Sequence, residues 1–314
     1  MFRNRKPAAR LPLSSVAGGL TVHHMRFVST RFLSVLAAAA ASLPALFGAG
    51  GAGAVVLGEI ERDPNGLRGS VVRIESTTGE MCSGSLIDQD LVLTAAHCVM
   101  HRAGYWVVVT DRGFRQRRLR AVAAAMHPDF VSGTTPEDQP GTDLAILKLS
   151  ERLGPDFQPL TLRGGGGISA GDPVSIAGYG VVAENRRGTA RVLRQARLVS
   201  LGDLQVANTV TVVADRRSLA ETAGAGACLG DSGGPILKGS AGSYQLVGVV
   251  SWSSGAAQQG RVRTACGGFT AVTPIARHTD WISARAADLS RYQPGDEAAT
   301  RSLRGNPADW TGGR

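Results

Sequence analysis

Residues 228–235 read Cys-Leu-Gly-Asp-Ser-Gly-Gly-Pro, a serine set among glycines. Glycine adopts backbone angles that a side chain resists, so such a loop can expose the Ser232 hydroxyl and turn neighbouring N–H groups toward one point. A hydroxyl is a weak nucleophile and needs a base beside it, itself oriented by a third group. Two upstream segments carry those residue types: Thr94-Ala95-Ala96-His97-Cys98 and Thr142-Asp143-Leu144-Ala145-Ile146-Leu147. The chemistry in view is nucleophilic catalysis by a serine, with His97 as base and Asp143 as the acid that orients it.

Each of these residues has a competitor. His97 and His101 are spaced i,i+4, as in a metal-binding pair, but no Glu follows His97 in the manner of His-Glu-x-x-His, so no metal is expected. His127 and His278 read as structural. Asp138 is the other nearby acid, in a Pro-rich loop, whereas Asp143 opens an apolar strand where burial gives a carboxylate its purpose. Gly230-Asp231-Ser232-Gly233-Gly234 also satisfies G-x-S-x-G, the nucleophile elbow of α/β-hydrolases. Those enzymes need an acid and then a histidine after the serine, and the only later histidine is His278.

The elements that position these residues read as short strands. The β-prone runs are Ser70–Ser76, Tyr105–Thr110, Asp143–Leu149, Asp172–Ala177, Thr209–Ala214, Tyr244–Trp252 and Phe269–Thr273. Turn residues separate them, and the 41 glycines include a run at Gly164–Gly167 that suits a linker between two halves. With 314 residues, 43% of them hydrophobic, the chain can bury a large core, and the pattern predicts an all-β sandwich or barrel.

The formal charge of +9 invites a nucleic-acid reading that its distribution weakens. Arg3, Arg5, Lys6, Arg10, Arg26 and Arg31 lie within residues 1–54 without an acid; the remainder has 28 basic and 25 acidic residues, or +3. From Met25 the chain runs through Arg26 and Arg31, an apolar stretch Phe32–Phe47 and small residues ending Ala52-Gly53-Ala54. That is the layout of a secretory signal peptide, 25–54, too short and Pro-broken for a membrane anchor. Residues 1–24 have no role in it and read as an over-extended start. Residues 291–314, rich in Gly, Pro and charge, read as a disordered tail.

In the order His97…Asp143…Ser232 the three segments resemble the trypsin/chymotrypsin family of serine proteases, over about three-quarters of the chain from Val55 to about Ser290. The resemblance implies one protease domain, 55–290, of two six-stranded antiparallel β-barrels, about 67–160 and 170–273, with a short C-terminal helix over Ile275–Leu289. It implies an oxyanion hole from the N–H groups of Gly230 and Ser232, and a Ser251 that bonds the triad aspartate in Val249-Val250-Ser251-Trp252. It pairs Cys82 with Cys98 and Cys228 with Cys266, which suits export to an oxidising compartment, extracellular or periplasmic. Protein or peptide substrates and protein protease inhibitors are the implied partners of a monomer, with no cofactor, no nucleic acid and no membrane anchor. A protease-like binding protein without turnover is the reading of a different class; all three triad residues are present here, where such relatives usually lack one.

The resemblance also shows departures. The residue six before the nucleophile floors the primary pocket; an aspartate there selects Arg and Lys, and here it is Gly226. Ser253 stands where glycine is usual beside Trp252, the Ser253–Cys266 connection is long, and Gly267-Gly268 form the opposing wall. Arg261 and Arg263 in that connection read as solvated surface, with a preference for acidic residues near the cut as the alternative. The Gly178-Tyr179-Gly180 turn reads as a packing variation. Arg112–Arg120, where the family can carry an acidic calcium loop, is strongly basic. Val55-Val56-Leu57-Gly58 matches the family's activating N-terminus, whose freed amine would meet Asp231; the alternative is an ordinary first strand.

Overall fold

The computed structural model describes residues 55–101, 103–162, 166–257, 264–293 and, as backbone, 310–311. The expected signal peptide, the 1–24 extension, Arg261 and Arg263 lie outside the described residues, as does most of the 291–314 tail.

After a two-residue strand β1 (Glu59–Ile60), six strands form a first barrel: β2 (Val71–Ser76), β3 (Met81–Asp88), β4 (Leu91–Thr94), β5 (Tyr105–Thr110), β6 (Gln116–Met126) and β7 (Ala145–Leu149). Their order is β6-β5-β2-β3-β4-β7, and β7 closes the barrel by pairing with β6. Closure is possible because β6 serves two partners. Gln116–Arg120 pair with β5, the register shifts between Ala121 and Ala123, and the rest pairs with β7. Small apolar residues Ala121–Ala125 carry the buried half, while the preceding arginines carry the exposed half.

The second barrel repeats the plan with β8 (Pro173–Gly178), β9 (Arg194–Gln205), β10 (Thr209–Ala214), β11 (Pro235–Lys238), β12 (Gln245–Gly255) and β13 (Gly267–Pro274). Its order is β9-β10-β13-β12-β11-β8, closed by β8 on β9, and β1 extends it beside β9. Every pairing in both barrels is antiparallel. The expectation of two closed six-stranded barrels holds, and all seven strand runs read from the sequence fall on strands.

The chain then turns through a 3-10 turn, Ile275–Arg277, into helix α1, Thr279–Arg291. The helix starts later than the sequence suggests because Ile275 is buried in the tighter turn before it. Ile282 and Leu289 bury against the first barrel's core, so the end of the second barrel is tied back to the first. Of the tail, Trp310–Thr311 form strand β14 on β6, opposite Ala124 and Ala123. Among the described residues no helix is long and apolar enough to cross a membrane.

Candidate active site

Asp143 stands just before β7 and is fully buried. Its Oδ1 accepts from the His97 backbone N–H (2.9 Å), and its Oδ2 from His97 Nδ1 (2.8 Å) and from the Ser251 hydroxyl (2.5 Å). The single 3-10 turn Ala96–Cys98 presents the imidazole to this carboxylate. Burial alone would lift the Asp143 pKa, but the His97 charge and these hydrogen bonds hold it below the ordinary carboxylate value. Burial alone would lower the His97 pKa, but the Asp143 charge and hydrogen bond outweigh it, so the imidazole sits above 6.5. Asp138, the competing acid, is exposed and bonded to Thr135.

Ser232 is half-buried in the loop between β10 and β11. Gly233, at φ +78°, lets this loop press against the histidine segment, since a Cβ there would meet Thr94 Oγ1 at 2.1 Å and Ala95 N at 3.1 Å. Gly233 N donates to Val250 O (2.7 Å) and Val250 N to Gly234 O (2.9 Å), tying the loop to β12 just before Ser251. The second His97 nitrogen, Nε2, has the Cys98 sulfur at 3.7 Å. Among the described residues no hydrogen bond joins it to Ser232 Oγ, a bond that often tightens only when substrate binds. Within the same residues, the N–H groups of Gly230 and Ser232 have no backbone acceptor, although their neighbours Asp231, Gly233 and Gly234 each donate to one.

Several residues that hold this loop were not picked out in the sequence. Ser83 N donates to Ser232 O (2.8 Å), and Ser83 Oγ donates to Gly230 O (2.9 Å) while accepting from Tyr179 N (3.0 Å). Thr94 Oγ1 donates to Ser83 O (2.9 Å). The signal for Ser83 was its place beside Cys82. Cys82 is disulfide-bonded to Cys98 (2.05 Å), fastening β3 to the histidine turn, and Cys228 is bonded to Cys266. The ligand atoms of Cys82, His97 and Cys98 lie within 4.8 Å of one another, but both sulfurs belong to the disulfide and offer no thiolate to a metal. His101, spaced i,i+4 from His97, faces Glu80, Nε2 to Oε1 at 3.5 Å.

Asp231 is fully buried, and the Gly178-Tyr179-Gly180 turn does more than pack. A Cβ on Gly178 would meet Asp231 Oδ1 at 2.2 Å and one on Gly180 would meet the same carboxylate at 2.6–2.7 Å, so both positions must be glycine for it to fit. Gly180 N (2.8 Å), Cys228 N (3.0 Å) and the Val55 N–H donate to it. Burial still pushes its pKa up to about 7, against these donors and the charge of Arg194. Val55 is fully buried, Val56 N donates to Gly226 O (2.9 Å), and Gly58 N closes a turn onto Val55 O (2.6 Å). Strand β1 begins only after this turn, so Val55–Gly58 is not an ordinary first strand.

The residues expected to form the primary pocket have neutral neighbours around Gly226. A Cβ on the buried Gly226 would stand 3.3 Å from Thr270 Oγ1 and 3.4 Å from Gly268 O. Thr270 Oγ1 accepts from Ala227 N (3.0 Å). Gly268 lies against the backbone of Gly255, and partly exposed Trp252 and Ser253 line the β12 side, with Ser253 Oγ donating to Ala265 O. Two acids overlooked in the sequence touch this wall. Asp215 Oδ2 accepts from Ala225 N (2.9 Å) and Glu184 Oε1 from Ala265 N, so both carboxylates hold backbone rather than facing the pocket.

A family model described as Trypsin matches residues 59–282, from β1 into α1. Given that match on two closed antiparallel barrels with a C-terminal helix, the chain belongs to the trypsin family of serine endopeptidases, which hydrolyse peptide bonds.

Proposed function

We propose that the protein is a secreted endopeptidase whose nucleophile is Ser232, whose base is His97 and whose orienting acid is Asp143. The observation that carries this reading is the carboxylate of Asp143, buried and receiving the His97 ring at 2.8 Å and Ser251 at 2.5 Å. His97 takes the Ser232 proton as Oγ attacks the scissile carbonyl, then gives it to the leaving amine. Asp143 keeps the imidazole in the tautomer that leaves Nε2 as acceptor and stabilises its cation. The N–H groups of Gly230 and Ser232 receive the oxyanion; removing one such donor costs about 3–4 kcal/mol of transition-state stabilisation. Water then releases the acyl group from Ser232 by the same proton path. Two disulfides support an oxidising destination, and the arginine-then-apolar start from Met25 supports export. Substrates are polypeptides, and protein inhibitors shaped like them fit the same cleft.

A fluorophosphonate probe, which modifies an activated serine, tests the assignment. The form beginning at Val55 should label, and Ser232→Ala should abolish labelling while leaving the thermal transition in place. Persistent labelling of Ser232→Ala would move the nucleophile elsewhere.

A further inference from the structure

Gly141 lies two residues before Asp143, and three groups fix its backbone. A Cβ there would stand 1.6 Å from Asp129 O, so only glycine lets the chain pass this close to that carbonyl. Its N–H donates to Gln139 Oε1 (3.0 Å), and its carbonyl accepts from Asn208 Nδ2 (2.5 Å). Asp129 and Gln139 belong to the same loop of the first barrel, between β6 and β7. Asn208 comes from the second barrel, in the turn between β9 and β10.

The first-barrel loop is braced from within. Gln139 is 1% exposed: its Oε1 also accepts from Val131 N (3.0 Å), and its Nε2 donates to Val131 O (2.9 Å) and Thr134 Oγ1 (2.8 Å). Where the loop begins, His127 N donates to Leu144 O (2.9 Å), next to Asp143. A loop cemented in this way moves as a piece, so whatever holds Gly141 from outside sets where Thr142 and Asp143 run into β7.

Asn208 is an unusual choice for its place. Its Oδ1 is buried and has no hydrogen-bond partner among the described residues. A leucine would fill a similar volume without that unmatched acceptor, so the use of the amide lies in its donor to Gly141 O. The turn that presents it is itself tied down. Val206 N donates to Asn208 O (2.9 Å) and Thr209 Oγ1 to Gln205 Oε1 (2.6 Å), while Thr211 Oγ1 and Arg277 Nη2 both donate to Asp203. The second barrel thus reaches the acid's segment twice, through Ser251 on the carboxylate and Asn208 on the backbone two residues earlier.

We propose that Asn208 is a positioning residue: by holding Gly141 O from the second barrel, it fixes the Asp143 carboxylate for the His97 ring. That carboxylate meets His97 N, His97 Nδ1 and Ser251 Oγ at once, from both barrels. Hydrogen bonds weaken steeply with distance and angle, so a Gly141 left free to shift loosens the imidazole that takes the Ser232 proton.

Asn208 can act in this way only if Asp143 is the orienting acid proposed for this protein, and two kinds of readout separate the two. Asn208→Leu keeps the bulk and loses the donor, whereas Asn208→Gln keeps an amide donor. On a short peptide substrate, Asn208→Leu should lower kcat about tenfold and leave KM within about twofold, a loss borne by the transition state. The acid limb of kcat/KM should move to lower pH, because a loosened Asp143 raises the His97 pKa less. Asn208→Gln should restore part of both effects. Asn208→Leu should melt as the wild type does, since the unmatched Oδ1 leaves with the donor. Gln205→Ala, which removes the Thr209 bond across the same turn, should leave kcat and the acid limb unchanged. The low-field proton resonance of His97 Nδ1–H reads the bond to Asp143 without turnover, and it should move upfield in Asn208→Leu and stay in Gln205→Ala. That shift with an unchanged kcat would keep Asn208 as the holder of Asp143 and remove Asp143 as the orienting acid. An unmoved resonance in Asn208→Leu would overturn the proposal, whatever kcat does. So would a loss of kcat that Gln205→Ala reproduces, which would make Asn208 a part of the turn's own stability, or a loss confined to KM, which would make it a part of the substrate surface.

Discussion

Asp143 and His97 form a coupled pair whose pH behaviour follows from its surroundings. To act as the proposed base His97 must be neutral, and the Asp143 charge and hydrogen bond raise its pKa above 6.5 in spite of burial. Activity should therefore fall as pH drops through a value above 6.5, seen as the acid limb of kcat/KM. Asp143→Asn removes the raising influence and leaves burial, which lowers the pKa. The limb of the residual activity should move to lower pH, and kcat should fall about 10⁴-fold. An unmoved limb in Asp143→Asn would remove Asp143 as the cause. Ser251 belongs to the same pair, since its hydroxyl occupies the oxygen that also accepts His97 Nδ1.

Specificity belongs to the elements that wall the pocket. β12 and β13 are paired from Gly248–Pro274 to Gly255–Gly267, and the approach of Gly268 to the Gly255 backbone leaves no room for a side chain there. Among the described residues, a Cβ on Gly226, the proposed floor, would meet Thr270 Oγ1 and Gly268 O and no carboxylate. The expected preference is for uncharged, small to medium apolar residues on the acyl side of the cut. It should be broad, because apolar pockets discriminate by only about 1–3 kcal/mol per methylene. Profiling with a peptide library checks this. Strict cleavage after Arg or Lys would show it wrong and point to Glu184 or Asp215 as carboxylates that leave their backbone donors.

The whole molecule bears on how Asp231 is kept. Among the described residues its buried carboxyl has only N–H donors, the Val55 amide among them, and its pKa rises from 3.8 to about 7. A group with a raised native carboxyl pKa holds more protons when folded, so stability declines as pH climbs from about 4 to about 7. The loss is on the order of 4 kcal/mol at ~1.4 kcal/mol per pKa unit. We propose that a cut before Val55 would replace the amide with an ammonium and relieve it. Relative to the form beginning at Val55, a form extended by Gly53-Ala54 should lose stability over that pH range in thermal melts and show little activity at neutral pH. The exported protein should sequence as Val-Val-Leu-Gly, so that signal cleavage after Ala54 and activation are one event. A fully active extended form would show that Asp231 does not depend on the Val55 amine.

Local patterning marked seven of the strands, because apolar runs report burial directly, and Ala145–Leu149 is buried throughout; Leu91–Thr94, buried as completely, was not among the runs read. The glycine-flanked serine, the histidine and the acid before an apolar strand were legible as residue types, since each needs a particular local backbone or burial. What linear order left open was how buried polar groups are partnered. Ser83 meets Gly230 across 147 positions and Gly180 meets Asp231 across 51, while Ser251 with Asp143, 108 positions apart, came only through the family resemblance. Such pairs come together only when each sheet closes on itself and the two barrels meet. Closure likewise decided that Arg73, an unremarkable arginine on β2, is buried beside Glu75 with Arg118 and Arg191 around it. Sequence by itself determined seven of the strands, the reactive residue types and their order. Tertiary structure decided which buried carboxylates are matched and which guanidiniums are not, because that depends on desolvation by distant strands and on no local signal.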